Sequence, residues 1–294
     1  MKIIFIGCVK SSEMFLNKLI EINAEVVGVV TKKESVFNAD FVDLGDMCEE
    51  NHIDCLYVKN INTEEAKDYM RQRKPDLVLC LGWSQILDQE ILSIPSKGCI
   101  GFHPAQLPYN RGRHPLIWAL VLGLRRTAST LFLMDAAADT GNILSQEFVD
   151  IAYEDDAQSL YDKVMMCAVG QLEKIISDFE TGTVTMRKQA PDEGNTWRKR
   201  GKEDGKIDWR MSSRGIYNLV RGLTKPYVGS HFVYHDRDYK VWKVKEVVSG
   251  GYENIEPGKV IQVMTKNHFI IKTGENLIEV LDCDDVELKE GEYL

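Results

Sequence analysis

MKIIFIGCVKSSEMFLNKLIEINAEVVGVVT, residues 1–31, decides the fold. Residues 2–7 form a short, nearly continuous apolar run, the pattern of a strand buried on both faces. Met14, Phe15, Leu19 and Ile20 then recur at helical spacing, and residues 25–31 are a second apolar run. Two buried strands joined by an amphipathic helix make a βαβ unit, with parallel strands and a right-handed crossover. Working outward, the alternation continues through residues 55–58, a charged helical stretch at 63–73, and apolar runs at 76–82 and 99–102. The expectation is an α/β fold, a Rossmann-like, doubly wound, mainly parallel sheet covered on both faces. Residues 128–134 and 143–151 read as two further strands, and residues 156–179 as a long helix.

The end of the chain has a different period. After a helical stretch at 213–223, SHFVYHD (230–236), KVWKVKEVV (240–248), GKVIQVM (258–264), HFIIKTG (268–274) and LIEVLD (277–282) alternate with a period near two. Turn signals at 249–251 and 274–276 separate them, which predicts a smaller C-terminal β-rich, barrel-like domain. The polar stretch QAPDEGNTWRKRGKEDGKIDW (189–209) lies between the two patterns. The expected organisation is a catalytic domain over 1–190, a linker over 191–205, and a helix plus an OB-like β domain over 206–294.

Composition sets limits on function. With 294 residues, 44% of them apolar, the chain can bury one large core or two ordinary ones. Lys and Arg number 36 against 45 Asp and Glu, a net charge of −9, and general affinity for a phosphate backbone needs the opposite balance. No apolar run approaches membrane-span length, and the N-terminus turns polar after about five apolar residues, which is not a signal-peptide pattern. The seven cysteines are odd in number, contain no CxxC, and place Cys80 and Cys99 in apolar runs. Buried free thiols in a reducing compartment fit this better than disulfides or zinc. The expectation is a cytoplasmic protein with no metal, no membrane partner and no nucleic-acid partner. A dinucleotide is not expected either: Gly7-Cys8-Val9-Lys10-Ser11 follows the first strand, and Val9 stands where close approach to a pyrophosphate needs a second glycine.

Chemistry gathers after residue 99. His103 closes an apolar run and precedes Pro104, so it falls at the carboxyl end of a strand, where open α/β sheets bind ligands. Asp139, in the turn ADTGN between two strands, can reach the same edge. An imidazole beside a carboxylate is a general base with controlled tautomer and charge. Taken singly, each residue has an ordinary alternative, a hydrogen-bonded loop histidine and a turn-forming aspartate.

HPAQLPYNRG (103–112) followed by ADTGNIL (138–144) resembles the signature of the formyltetrahydrofolate-dependent formyltransferases. That family includes the methionyl-tRNA, glycinamide ribonucleotide and sugar N-formyltransferases. Its motif runs Asn-x-His, a Ser-Leu-Leu-Pro-like tetrapeptide, Arg-Gly, and later Asp-x-Gly-x-Ile. Here these read Gly101-Phe102-His103, Ala105-Gln106-Leu107-Pro108, Arg111-Gly112 and Asp139-Thr140-Gly141-Asn142-Ile143. The resemblance implies N10-formyltetrahydrofolate as the formyl donor, His103 as the base that takes the proton of an incoming amine, and Asp139 as its assistant. It further implies a pterin slot lined by backbone groups of Gln85, Ile86 and Leu87 and of Asp135, Ala136, Ala137 and Ala138, and pairing as a homodimer. Trp83 and Ile86 are candidates for apolar contact with the ring, a core role being the alternative for the Trp. One departure stands out. The family Asn is Gly101 here, which removes an amide able to donate to an oxyanion. Asn110, His114 or a backbone N–H are the possible replacements, and a folate-binding sensor without turnover is the alternative.

The acceptor follows from charge and from the same resemblance. Residues 200–294 hold 15 Lys/Arg against 16 Asp/Glu, no obvious surface for a tRNA acceptor stem. Arg111-Gly112-Arg113 resembles the Arg-Gly-Arg of an aminoarabinose formyltransferase, and residues 206–232 resemble the sugar enzymes. Guanidinium forks match diphosphate oxygens and an indole stacks on a base or sugar. Arg113, Trp197 and Arg221 are therefore expected to bind a nucleotide-diphosphate amino sugar, a 4-amino-4,6-dideoxyhexose. A methionyl-tRNA acceptor is the alternative. A metal hydrolase built from His103, His114 and Asp139 matches no zinc spacing.

Overall fold

The structure is a computed structural model and describes residues 1–35, 40–190 and 192–294. The chain packs as two compact units, neither of them continuous in sequence. The first comprises Met1–Gly112, Ala128–Val149 and Lys163–Trp197, the second Arg113–Thr127, Asp150–Asp162 and Arg198–Leu294. In chain order the elements are β1 (Ile3–Ile6), α1 (Lys10–Glu21), β2 (Val26–Thr31), α2 (Gly45–Glu50), β3 (Cys55–Tyr57), α3 (Glu64–Arg73), β4 (Leu77–Cys80), α4 (Gln89–Leu92), β5 (Cys99–His103), β6 (Arg111–Gly112) and α5 (Pro115–Val121). Then follow β7 (Arg126–Leu133), β8 (Ile143–Asp150), α6 (Ala157–Thr181), β9 (Thr196–Trp197), α7 (Ser213–Leu223), β10 (Ser230–Tyr234), β11 (Arg237–Val247), β12 (Val260–Thr265), β13 (His268–Lys272) and β14 (Leu277–Cys283).

The first unit is built on a seven-stranded sheet in the order β3-β2-β1-β4-β5-β7-β8. Its first five strands run parallel and β7 joins β5 antiparallel, so the doubly wound, mainly parallel sheet expected from the sequence is present. Ile3 through Ile6 are fully buried, as are Leu77 through Leu79, which is why these strands read as unbroken apolar runs rather than alternating ones. Phe15, Leu16 and Leu19 of α1 are equally buried, and each such side chain contributes roughly 1.5–3 kcal/mol by leaving water. The strand order reverses between β1 and β4, the switch point at which α/β sheets open their ligand crevice. Close to it, Ser12 Oγ donates to Leu81 O at 2.6 Å and accepts from Val9 N–H at 3.2 Å. The turn after β1 is thus filled by a serine side chain.

The second unit is β-rich. Its five-stranded antiparallel sheet has the order β10-β11-β14-β13-β12. Phe232, Val241, Phe269, Ile278 and Val280 form its core together with Ile216, Leu219, Val220 and Leu223 of α7. Ile117 of α5 is buried in the same cluster, with Val121 packed against it. That apolar face explains why residues 113–127, which the sequence reading assigns to the first domain, pack with the second unit. Among the described residues no helix is long and apolar enough to cross a membrane.

Candidate active site

β5 delivers His103 to the carboxyl end of the parallel strands, where the residue is 5% exposed. The ring Nε2 lies 2.7 Å from the backbone oxygen of Asn110. A carbonyl only accepts, so Nε2 carries a proton and donates it, and the lone pair of the neutral ring sits on Nδ1. Nδ1 in turn faces Asp139 Oδ2 at 3.7 Å, close but beyond a direct hydrogen bond.

Asp139 reaches this place through the turn between β7 and β8. Leu133 N–H donates to Asn142 O at 2.8 Å and folds the turn back. Only glycine fits at 141, because a Cβ there would stand 1.6 Å from Leu133 O. Asp139 itself has φ 60°, a left-handed conformation that aspartate tolerates better than most residues. Two side chains hold its carbonyl oxygen, Arg111 Nε at 3.2 Å and Gln189 Nε2 at 2.9 Å, and Gln189 also donates to Gly141 O at 2.8 Å. Arg111 Nη2 donates to Gln189 Oε1 at 2.8 Å, which ties the two together. The Gly112 N–H then donates to Asp139 Oδ2 at 3.0 Å. The Arg-Gly pair is therefore a positioning device, with the guanidinium fixing the backbone of Asp139 and the glycine amide fixing its carboxylate.

Sequence reasoning missed most of this scaffold. Thr130 Oγ1 donates to Ala105 O at 2.7 Å, and Gln146 Nε2 donates to Thr130 Oγ1 at 3.0 Å and to Leu107 O at 2.9 Å. Arg187 Nη2 donates to Gln146 Oε1 at 3.0 Å. Nothing in isolated Gln and Thr side chains marks them in advance as supports of the loop after His103.

The expected pterin-lining residues divide by what they have free. Gln85 accepts from Ile61 N–H at 3.0 Å and donates to Lys59 O at 3.0 Å, so its side chain anchors the loop that carries it. Leu87 is a core residue, and Asn62 Nδ2 donates to Ile86 O at 2.9 Å while the Ile86 side chain is exposed. Asp135 Oδ1 accepts from Ala137 N–H at 3.1 Å and from Thr140 Oγ1 at 2.6 Å, and Ala136 through Ala138 are exposed. Trp83 has the Lys32 ammonium 4.7 Å from its ring centroid, and its buried indole N–H has no partner among the described residues.

The sequence profile of formyl transferases matches residues 1–174, and that of the formyl transferase C-terminal domain matches residues 199–289. The chain belongs to the formyl transferase family. It is 31% identical over 287 residues to a methionyl-tRNA formyltransferase of Caldanaerobacter subterraneus subsp. tengcongensis, spanning 96% of this chain and 91% of that one. It is equally 31% identical over 292 residues to the bifunctional polymyxin resistance protein ArnA of Wigglesworthia glossinidia brevipalpis, covering 98% of this chain and 43% of that protein. Among solved structures its fold is shared by an N-formyltransferase from Helicobacter canadensis in complex with folinic acid and dTDP-3-aminofucose. That match has a TM-score of 0.72 and 20% identity, over 95% of this chain and 98% of the other. The molecule is thus an enzyme, a formyltransferase, and His103 with Asp139 is its candidate catalytic pair.

The remaining expected residues separate further. The formyltransferase places His114 in its second unit, at φ 56° as the residue before α5, with Nδ1 accepting from Arg200 N–H at 3.3 Å. Burial first, then Arg113, Lys199 and Arg200, hold its pKa below the ordinary imidazole value. It is a neutral ring already engaged in its own unit, which argues against the auxiliary catalytic role expected of it. Arg221 departs from expectation as well. It is 9% exposed, with Nε donating to Asn218 Oδ1 at 2.9 Å and Nη1 to the carbonyls of Ala152, Tyr153 and Asp155 at 2.9–3.0 Å. A guanidinium so engaged is a structural knot rather than a substrate contact. Trp197 is set in register by β9, which pairs with β6 through Gly112. Arg113 alone of the three expected substrate residues is exposed with no hydrogen bond or ion pair among the described residues. Trp118, unforeseen from the sequence, donates from Nε1 to Arg198 O at 3.0 Å and has the Arg200 guanidinium 4.5 Å from its ring centroid.

Proposed function

We propose that this enzyme moves the formyl group of N10-formyltetrahydrofolate to the amine of a nucleotide-diphosphate amino sugar, a 4-amino-4,6-dideoxyhexose. The reaction type rests on the pair at the edge of the sheet. His103 Nδ1 and Asp139 Oδ2 are two acceptors facing each other across 3.7 Å, and an incoming amine is a donor that can engage both. As the amine nitrogen bonds to the formyl carbon, His103 Nδ1 accepts its proton, and the Asp139 carboxylate stabilises the imidazolium so formed. The folate supplies the activated formyl carbon and a nitrogen leaving group. The chain suits such a molecule: the indole N–H of Trp83, without a partner among the described residues, is a donor awaiting an acceptor, and the exposed turn Ala136–Ala138 offers backbone rather than bulk.

The choice of acceptor rests on one observation, the exposed guanidinium of Arg113, which has no hydrogen bond or ion pair among the described residues, in a chain whose residues 200–294 carry no positive excess. The name of the methionyl-tRNA formyltransferase relative favours a second reading, formylation of methionyl-tRNA. The test offers the enzyme formyltetrahydrofolate with a panel of nucleotide-linked 4-amino sugars and, separately, with methionyl-tRNA, and follows product by mass spectrometry. Preferred turnover of a sugar nucleotide is expected. A higher kcat/KM on methionyl-tRNA would replace the sugar reading with the second one.

A further inference from the structure

Gly101 and His103 lie on one face of β5, so a side chain at 101 would stand beside the catalytic imidazole. The residue opposite Gly101 on β7 is Phe132, and its ring takes that place. A Cβ on Gly101 would lie 2.9 Å from Phe132 Cζ and 3.1 Å from Met134 Cγ. Phe132 is buried in a cluster with Leu107 and Ile143, so the ring cannot step aside without opening that packing. An aromatic ring laid over a strand glycine is a recognised cross-strand pairing. The result is that an aromatic ring from β7, rather than a side chain of β5, fills the position two residues before His103.

Acyl transfer to an amine still develops negative charge on the formyl oxygen and calls for a donor there. Asn110 is placed to give one. Its N–H donates to Asn195 Oδ1 at 2.9 Å, its carbonyl accepts from His103 Nε2 at 2.7 Å, and its φ is 66°. The backbone is therefore fixed against the imidazole on both sides, while the half-buried carboxamide makes no hydrogen bond among the described residues. Standard bond lengths keep that carboxamide nitrogen within about 5 Å of the carbonyl that touches His103. His114 is the other polar side chain the sequence offered for this task, and its ring is engaged with Arg200 N–H.

We propose that Asn110 is a catalytic residue that donates its amide to the formyl oxyanion, in place of the strand side chain that Gly101 and Phe132 exclude. The inference rests on formyl transfer to an amine as read above. The amine nitrogen bonds to the formyl carbon and the carbonyl electron pair moves to oxygen, where the Asn110 carboxamide Nδ2–H meets it. The pair then returns, the bond from carbon to folate N10 breaks, and the proton taken from the amine ends on N10.

Asn110→Asp and Asn110→Gly both tolerate a left-handed backbone and both lack the donor. Each is expected to lower kcat by about a hundredfold to a thousandfold. Folate affinity, read by fluorescence titration, should stay within about threefold of the parent, and Asn110→Gln should recover part of the rate. A kcat within threefold of wild type for both variants, or a loss confined to folate affinity, would overturn the proposal. Rates are measured on whichever amine the wild type formylates best. If it formylates no amino sugar and no methionyl-tRNA, the acceptor reading fails by itself, and the same comparison is made on release of formate from formyltetrahydrofolate to water.

Discussion

The sheet edge around His103 and the turn around Arg221 use the same means to opposite ends. In both, side chains reach into a loop and bond its backbone carbonyls. At the sheet edge Arg111, Gln189, Gln146 and Thr130 do so, and the site they frame keeps groups open: His103 Nδ1 and Asp139 Oδ2 across a gap of 3.7 Å, and the Asn110 carboxamide, which makes no hydrogen bond among the described residues. At the turn over residues 152–155 the Arg221 guanidinium donates to three backbone carbonyls, and an Asn side chain orients the guanidinium. The difference teaches which polar residues serve chemistry. A group whose donors are spent on backbone carbonyls holds the fold, and a group held by others but left open toward solvent is the one to propose for chemistry.

The comparison predicts a clean separation of effects. Replacing His103→Asn should lower turnover by about a thousandfold or more while leaving the urea midpoint and folate affinity close to wild type. A rate within tenfold of wild type would remove the imidazole from the mechanism. Arg221→Ala should do the reverse. It removes the donor shared by the carbonyls of Ala152, Tyr153 and Asp155, of which only Asp155 belongs to a buried residue, and is expected to cost about 2 kcal/mol in chemical denaturation, with KM for the proposed sugar nucleotide unchanged in the protein that remains folded. A raised KM with normal stability would return Arg221 to the binding site. Arg113→Ala should raise KM for the proposed sugar nucleotide about tenfold and that for the folate little, as one exposed charge-assisted contact to phosphate allows. Equal change in both would make Arg113 a general organiser of its loop.

The smallest effect is on pH. Burial lowers the pKa values of His114 and His231 in the second unit, so both imidazoles take up protons more readily when that unit is unfolded. Their folded pKa values lie below 6.5, so stability is at its full value above about pH 6.5 and falls as pH drops below it. In an NMR titration both imidazoles should titrate below 6.5, with a lower urea midpoint at pH 5.5 than at pH 7.5. Titration of either at or above 6.5 would contradict the assignment.

Much of this was legible in one dimension. The unbroken runs of β1 and β4 announce a parallel sheet because both faces of those strands are covered, and the alternation of β10 through β14 announces an antiparallel one. His103 and Asp139 could be named because their positions follow from strand ends and turns. The boundary of the first unit was harder. Residues 113–127 follow the motif loop without a break in composition, and only the apolar face of α5 against α7 assigns them to the second unit. Arg113 and Arg221 look alike as letters, since exposure and partners are properties of the folded chain.

What the sequence determined by itself is periodicity and residue chemistry: which segments bury one face or two, and where an imidazole, a carboxylate and a motif glycine fall along them. Tertiary structure alone decided which polar groups are saturated and which stay open. Gly101 is a missing side chain in the sequence, and it becomes a filled position only when Phe132 pairs across from it on β7. The reason is physical: hydrogen bonds and steric contacts between residues distant in sequence act over a few ångströms, and only folding sets those distances.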